Sequence, residues 1–210
     1  MSSGEDWLQD PLVEIDKGSY QYRKLKSHNE KQYQEWRLFH YTTRLKLNGA
    51  NFFRTKVIDT ARTSEDELRW YLDAFFFELM AACDILLQEL NIVYAYDLGL
   101  KPKDVRWNNK DKNKFMEKLP DEIFNRIKEE RKKDWFCEVQ WHRNTTTHHY
   151  RTPITSGRIH GSLHLTNVGL QYIDKEGEVK IKEISICKDY LSNMVNYISS
   201  VWGKMAQEFE

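Results

Sequence analysis

Residues 64–90 read SEDELRWYLDAFFFELMAACDILLQEL, and this stretch decides the architecture. Ser64 followed by Glu67 is a capping box: the serine hydroxyl accepts from the third helical amide while the glutamate reaches back. A helix therefore starts at Glu65 and runs to about Leu90. Its middle, Asp73–Leu87, is apolar almost all round. A helix without a polar face is enclosed by other helices, so this one is the central element of a bundle. Asp73 and Asp84 interrupt it, and at about 100° per residue they fall on one face. They form either a polar seam at the bundle surface or a carboxylate brace for a basic residue on a neighbouring helix.

Outward from that helix the pattern stays helical. From His28 to about Arg62, Tyr33, Trp36, Phe39 or His40, and Thr43 recur at three- and four-residue steps, and Leu47, Phe52 and Val57 continue them. Asn48-Gly49 is the expected point of a kink or split, since glycine costs roughly 1 kcal/mol inside a helix. Residues 1–26 read as an N-terminal arm, acidic at first and then basic at Arg23, Lys24 and Lys26. Residues 91–120 read as a long connection with a short helix near Lys112–Leu119. Pro120-Asp121-Glu122 starts a further helix, expected over 121–142, with acids where the helix dipole favours them. Beyond Pro153 the period changes to two: Leu163/Leu165, then Val168/Leu170/Tyr172, a turn at Asp174–Gly177, and Val179/Ile181. This predicts a small β-hairpin at about 161–184, with a third strand possible at 162–166. Leu191, Met194, Val195, Ile198, Val201, Trp202 and Met205 then mark a closing amphipathic helix over about Ser185–Glu208. The expected fold is mostly α: an up-and-down helical bundle forming a single domain over 27–210, with a β-hairpin inserted before the C-terminal helix.

The 210 residues are 40% hydrophobic with 7 Trp, 11 Tyr and 10 Phe, which excludes a disordered chain. Lys+Arg and Asp+Glu are both 32, so no global charge draws the protein to a polyanion, although a local basic site is left open. Cys83, Cys137 and Cys187 lie far apart and suggest neither a disulfide framework nor a zinc knuckle. The N-terminus lacks the basic-then-apolar order of a signal peptide, and the stretch Ala74–Leu87 is too short and too charged to span a bilayer. A soluble, cytoplasmic protein without a membrane partner is the expectation.

The chemically dense segment is Trp141–Arg151, WHRNTTTHHYR. No acidic residue occurs between Glu138 and Asp174, while Arg143, Arg151, Arg158, His142, His148, His149, His160 and His164 all do. Arginine forks match phosphate oxygens, and histidine is the side chain whose proton moves near neutral pH. The chemistry these groups suit is binding and cleaving a phosphodiester. A metal site built from His142, His148 and His149, or from His160 and His164, is the rival. It lacks a nearby carboxylate to complete it, so neither a metal nor another cofactor is expected. Asn144-Thr145-Thr146 also fits a glycosylation acceptor, which the missing signal peptide disfavours.

Arg143-Asn144-Thr145-Thr146-Thr147-His148 resembles the signature of the HEPN superfamily (higher eukaryotes and prokaryotes nucleotide-binding domains): arginine, a polar residue, three variable residues, histidine. The buried helix with Phe75-Phe76-Phe77-Glu78-Leu79 and Asp84 is similar to that family's central helix, and the hairpin lies outside the common core. The resemblance implies a metal-independent endoribonuclease that uses attack by the ribose 2′-hydroxyl on the phosphodiester. It makes His148 the general base or acid, Arg143 the phosphate holder, and Asn144 the residue that orients the phosphate or the histidine. Thr147, His149 and Arg151 are further candidates for substrate contact, and His149 is an alternative base. Asp84 or Asp73 would brace Arg143. If one helix runs through the motif, Asn144 and His148 share a face while Arg143 lies about 140° from His148. The resemblance implies a homodimer whose two motifs face one cleft, RNA or a nucleotide as partner, a toxin or defence role, and an antitoxin-like protein as a possible restraint. The other reading is a non-catalytic HEPN-like module that binds nucleotide, RNA or a protein.

Overall fold

The computed structural model describes residues 29–61, 64–107, 113–148, 151–158 and 165–207. The N-terminal arm, His149, His160 and His164 lie outside them. Among the described residues the elements run α1 (Glu30–Thr60), α2 (Glu65–Tyr94), two short 3-10 turns, α3 (Lys114–Glu117), α4 (Asp121–Glu130), α5 (Asp134–His148), β1 (Ile154–Arg158), β2 (Leu165–Ile173), β3 (Val179–Glu183) and α6 (Ile186–Gln207). The fold is the expected helical one, with a small antiparallel sheet before the last helix.

Local chemistry accounts for the element ends. Glu67 N donates to Ser64 Oγ at 3.3 Å, so the capping box starts α2 where the sequence puts it. Asn113 caps α3 by accepting from Met116 N at 3.0 Å. α1 passes through Asn48-Gly49 unbroken, against the expected kink. Glycine is used there for closeness: a Cβ on Gly49 would sit 3.1 Å from Glu78 Oε2. The single helix expected over 121–142 is two, because α4 ends at Glu130 and α5 begins at Asp134. The apolar phase requires it. Ile127 and Phe136, both fully buried, would lie about 180° apart on one uninterrupted helix.

The sheet has the order β1-β2-β3, all antiparallel, with Ile173 opposite Val179 and Gly169 opposite Glu183. Its strands start earlier than the hairpin expected from the sequence, at Ile154. Asp174 Oδ1 accepts from the amides of Glu176 and Glu178, and Gly177 takes the left-handed conformation at φ 85° that closes the turn.

The chain gathers into two compact units, one of residues up to Arg44 with Cys83–Arg131 and residues from Met194, the other of Leu45–Ala82 and Lys132–Asn193. In the first, the fully buried Glu89 carboxylate is met from three sides. His40 Nδ1 lies 3.0 Å away, Trp202 Nε1 donates at 2.9 Å, and the Thr43 hydroxyl donates to the other oxygen. A buried carboxylate persists only when it is satisfied in this way. In the second unit Phe75, Phe76, Leu72, Leu79, Phe136, Val139, Leu170 and Leu191 are fully buried and form the core beside α5. Among the described residues no helix is long and apolar enough to cross a membrane.

Candidate active site

The site is built on α5, in the second unit. Asp134 occupies the helix's first turn, where a carboxylate suits the dipole, and Phe136, Val139 and His142 turn inward at three-residue steps. Glu138, also buried, holds the helix to β3 and α6: Lys182 Nζ donates to its two oxygens at 2.8 and 2.7 Å, and Tyr190 OH donates at 2.6 Å. α5 is thus fixed before the chain reaches the motif.

The motif occupies the helix's last two turns without a break, so the geometry conditional on one continuous helix applies. Arg143 is half-buried and Asn144 exposed. Arg143 Nη1 donates to Asn144 Oδ1 at 3.2 Å, so the amide orients the guanidinium. Thr146 and Thr147 both donate their hydroxyls to the Arg143 carbonyl, at 2.9 and 2.8 Å. Such back-bonding competes with the helical ladder near a helix end. Thr147, a candidate for substrate contact, therefore has this internal bond as well. His148 closes α5, one turn after Asn144 and about 140° around the axis from Arg143.

The chain leaving the motif is tied to α2. Arg151 is exposed and pairs with Asp66. Asp73 accepts from Thr152 N at 2.9 Å and Thr152 Oγ1 at 2.5 Å, and Arg69 Nη1 donates to Thr152 O at 2.7 Å. Asp73 thus positions the chain that follows the motif, and its bonds go to Thr152. Asp84, the other expected brace, is an exposed residue of the first unit. Thr152, fully buried, is a positioning residue that sequence reasoning missed; its only signal is a threonine just before Pro153.

His142 is a packing residue. It is fully buried, its ring stacks on Phe76 at 4.4 Å between centroids with an interplanar angle of 12°, and neither ring nitrogen has a hydrogen-bond partner. Burial, aided by the Lys182 charge, lowers its pKa to about 3. It stays neutral in the folded protein, and sealed from solvent it is not placed to take a proton from a substrate. Among the described residues, no group of three His, Cys, Asp or Glu side chains could hold a metal ion.

Among the described residues, hollows lie on two sides of α5. A cleft of about 570 Å³ lies against the hairpin, where Cys137, Glu138 and Trp141 face Tyr172, Lys175 and Lys180. A groove of about 340 Å³ lies toward α1 and α2, lined by Phe53, Trp70, Phe77 and Glu78 with Thr146 and Thr147. The groove borders the motif; Phe77 reads in the sequence as part of the apolar run of α2, while the apolar pattern singles out neither Phe53 nor Trp70.

The model of the Cthe2314-like HEPN family matches residues 37–199. No curated protein and no solved structure matches the chain. The match takes in most of α1, all of α2, the motif helix, the sheet and most of α6. On that span, the chain belongs to the HEPN superfamily.

Proposed function

We propose that the protein is a metal-independent endoribonuclease working as a homodimer. The observation that carries this reading is the unbroken run of α5 through Arg143-Asn144-x-x-x-His148, with Asn144 bonded to the Arg143 guanidinium at the end of an acid-free helical segment. Cation and imidazole then have the parts the chemistry needs. His148 takes the proton from a ribose 2′-hydroxyl, the 2′-oxygen attacks phosphorus, and the P–O5′ bond breaks. The departing 5′-oxygen takes a proton from an imidazolium, leaving a 2′,3′-cyclic phosphate and a 5′-hydroxyl. Arg143 carries the charge that builds on the phosphoryl oxygens. A positioned general base is worth about 10²–10⁴ in rate, and pre-aimed cationic donors supply a comparable contribution.

The angle between Arg143 and His148 supports the dimer. A single helix that separates two groups by about 140° cannot aim both at one phosphorus, whereas two motifs facing one cleft supply both groups and a second imidazole as acid. Incubation of labelled RNA with and without EDTA, for the parent protein, Arg143→Ala and His148→Ala, tests the reading. Cleavage that survives EDTA and is lost in both variants supports it. EDTA-sensitive cleavage refutes the metal-independent mechanism, and RNA binding without cleavage assigns the chain instead to the non-catalytic modules of the superfamily.

A further inference from the structure

We propose that an aromatic track on α1 and α2 binds single-stranded RNA by stacking its unpaired bases and leads the strand to Arg143; the second half of this rests on the nuclease reading above. The track lies within the second unit. Trp70 stacks on Tyr71 at 5.7 Å and 19°, Tyr71 lies 6.4 Å from Phe53, and Phe53 lies 5.3 Å from Phe52. These four rings form a continuous series across the two helices, and part of it is bare, Trp70 at 69% and Phe52 at 55% exposed. Phe77, 52% exposed, is two turns from Trp70 on α2 and so lies on the same side of it. Both line the 340 Å³ groove whose far wall is Thr146 and Thr147. These two hydroxyls rest on the carbonyl of Arg143, which places the groove beside the phosphate-holding residue.

Charge selects the occupant. Residues 45–58 of α1 carry Lys46, Arg54 and Lys56 and no acid. Lys46 Nζ lies 5.8 Å from the centre of the Phe77 ring, and Lys56 Nζ lies 5.7 Å from that of Phe52. Of the groove's own carboxylates, Glu78 is paired with Lys46 at 3.1 Å and Asp73 accepts from Thr152, so Lys56 rather than Lys46 is the lysine placed for a phosphate. Bare rings interleaved with lysines suit a strand of bases joined by phosphates, because every base offers a π-face and every linkage a negative charge. A surface meant for a second copy of the chain would be depleted of lysine at its centre. Duplex RNA hides its base faces, so the track discriminates for unpaired strands.

The test uses fluorescence anisotropy with a labelled oligouridine of about 12 nucleotides, in the His148→Ala background so that the probe stays intact. Trp70→Ala and Phe77→Ala, both at exposed positions, are each expected to weaken binding about 5- to 100-fold. Trp70→Phe should restore most of the loss, and binding of an RNA duplex should not change. Unchanged oligouridine affinity in both alanine variants overturns the track, and leaves the nuclease reading standing if the parent protein cleaves RNA. Tight, Trp70-dependent binding by a parent that cleaves nothing upholds the track and sinks the nuclease. Conversion of a dimer to a monomer by Trp70→Ala, with RNA affinity kept, assigns the rings to a second copy and overturns the proposal. A parent that binds no RNA at all overturns both.

Discussion

Lowering the pH from 7 to 5 should destabilise the protein by about 2 kcal/mol through His142 alone. The folded protein holds this imidazole neutral, with a pKa of about 3, because it is sealed between Phe76, Trp141 and Tyr172. In the unfolded chain the group returns to its ordinary value of 6.5. Between those two values the unfolded state binds a proton that the folded state refuses, so stability falls as pH drops below 6.5 and goes on falling to about pH 3. At pH 5 the unfolded imidazole is about 97% protonated and the folded one about 1%, which gives the 2 kcal/mol, and near pH 3 the loss reaches about 4 kcal/mol. Asp174 does not disturb the comparison. The Glu178 amide holds its carboxyl below the ordinary 3.8, so its contribution is lost only in stronger acid. Urea unfolding at both pH values, for the parent and for His142→Phe, measures the effect. The phenyl ring keeps the stack on Phe76 and cannot titrate, so the difference between the two proteins should shift by about 2 kcal/mol in favour of the variant. Equal pH dependence in both proteins would refute the claim that His142 is held uncharged.

Removing Glu138 should be severe: Glu138→Ala leaves Lys182 and the Tyr190 hydroxyl without their shared acceptor and should cost about 3 kcal/mol in urea unfolding. Replacing both partners, as Glu138→Gln with Lys182→Met, should recover much of that loss. Asp73→Ala orphans the amide and hydroxyl of Thr152 and should cost about 1–3 kcal/mol. The same variant should hasten tryptic cleavage after the exposed Arg151, since its neighbour Thr152 is then held to α2 by Arg69 alone; an unchanged digestion rate would deny Asp73 that positioning part.

The helices were legible where local signals and packing agree. Ser64 and Glu67 fixed the start of α2, and the apolar Phe75–Leu87 run identified the central helix. The break between α4 and α5 was missed, because the charged residues Lys128–Asp134 look continuous by propensity; the burial of both Ile127 and Phe136 reveals the change of phase. Gly49 misled because glycine's helix cost is local, whereas its use here is a close approach by Glu78 from another helix. In β3, period-two alternation marks the strand without saying which side is inside. Val179 and Ile181 are exposed, and Lys182 turns toward the buried Glu138. That pairing is long-range and leaves no trace in the strand's own pattern. Within the site, Arg143, Asn144 and His148 came from the resemblance of their segment to the family signature. The packing part of His142, the tie from Asp73 to Thr152 and the exposure of Trp70 depend on what α2 faces, which no spacing within one segment encodes.

The chemistry of the RNA ends offers the sharpest trial of Arg143 and His148. The proposed chemistry leaves 2′,3′-cyclic phosphates and 5′-hydroxyls on the fragments that the parent protein makes in EDTA, and leaves the RNA whole in His148→Ala. Fragments bearing 5′-phosphates, or a His148→Ala protein that cuts as fast as its parent, would contradict it.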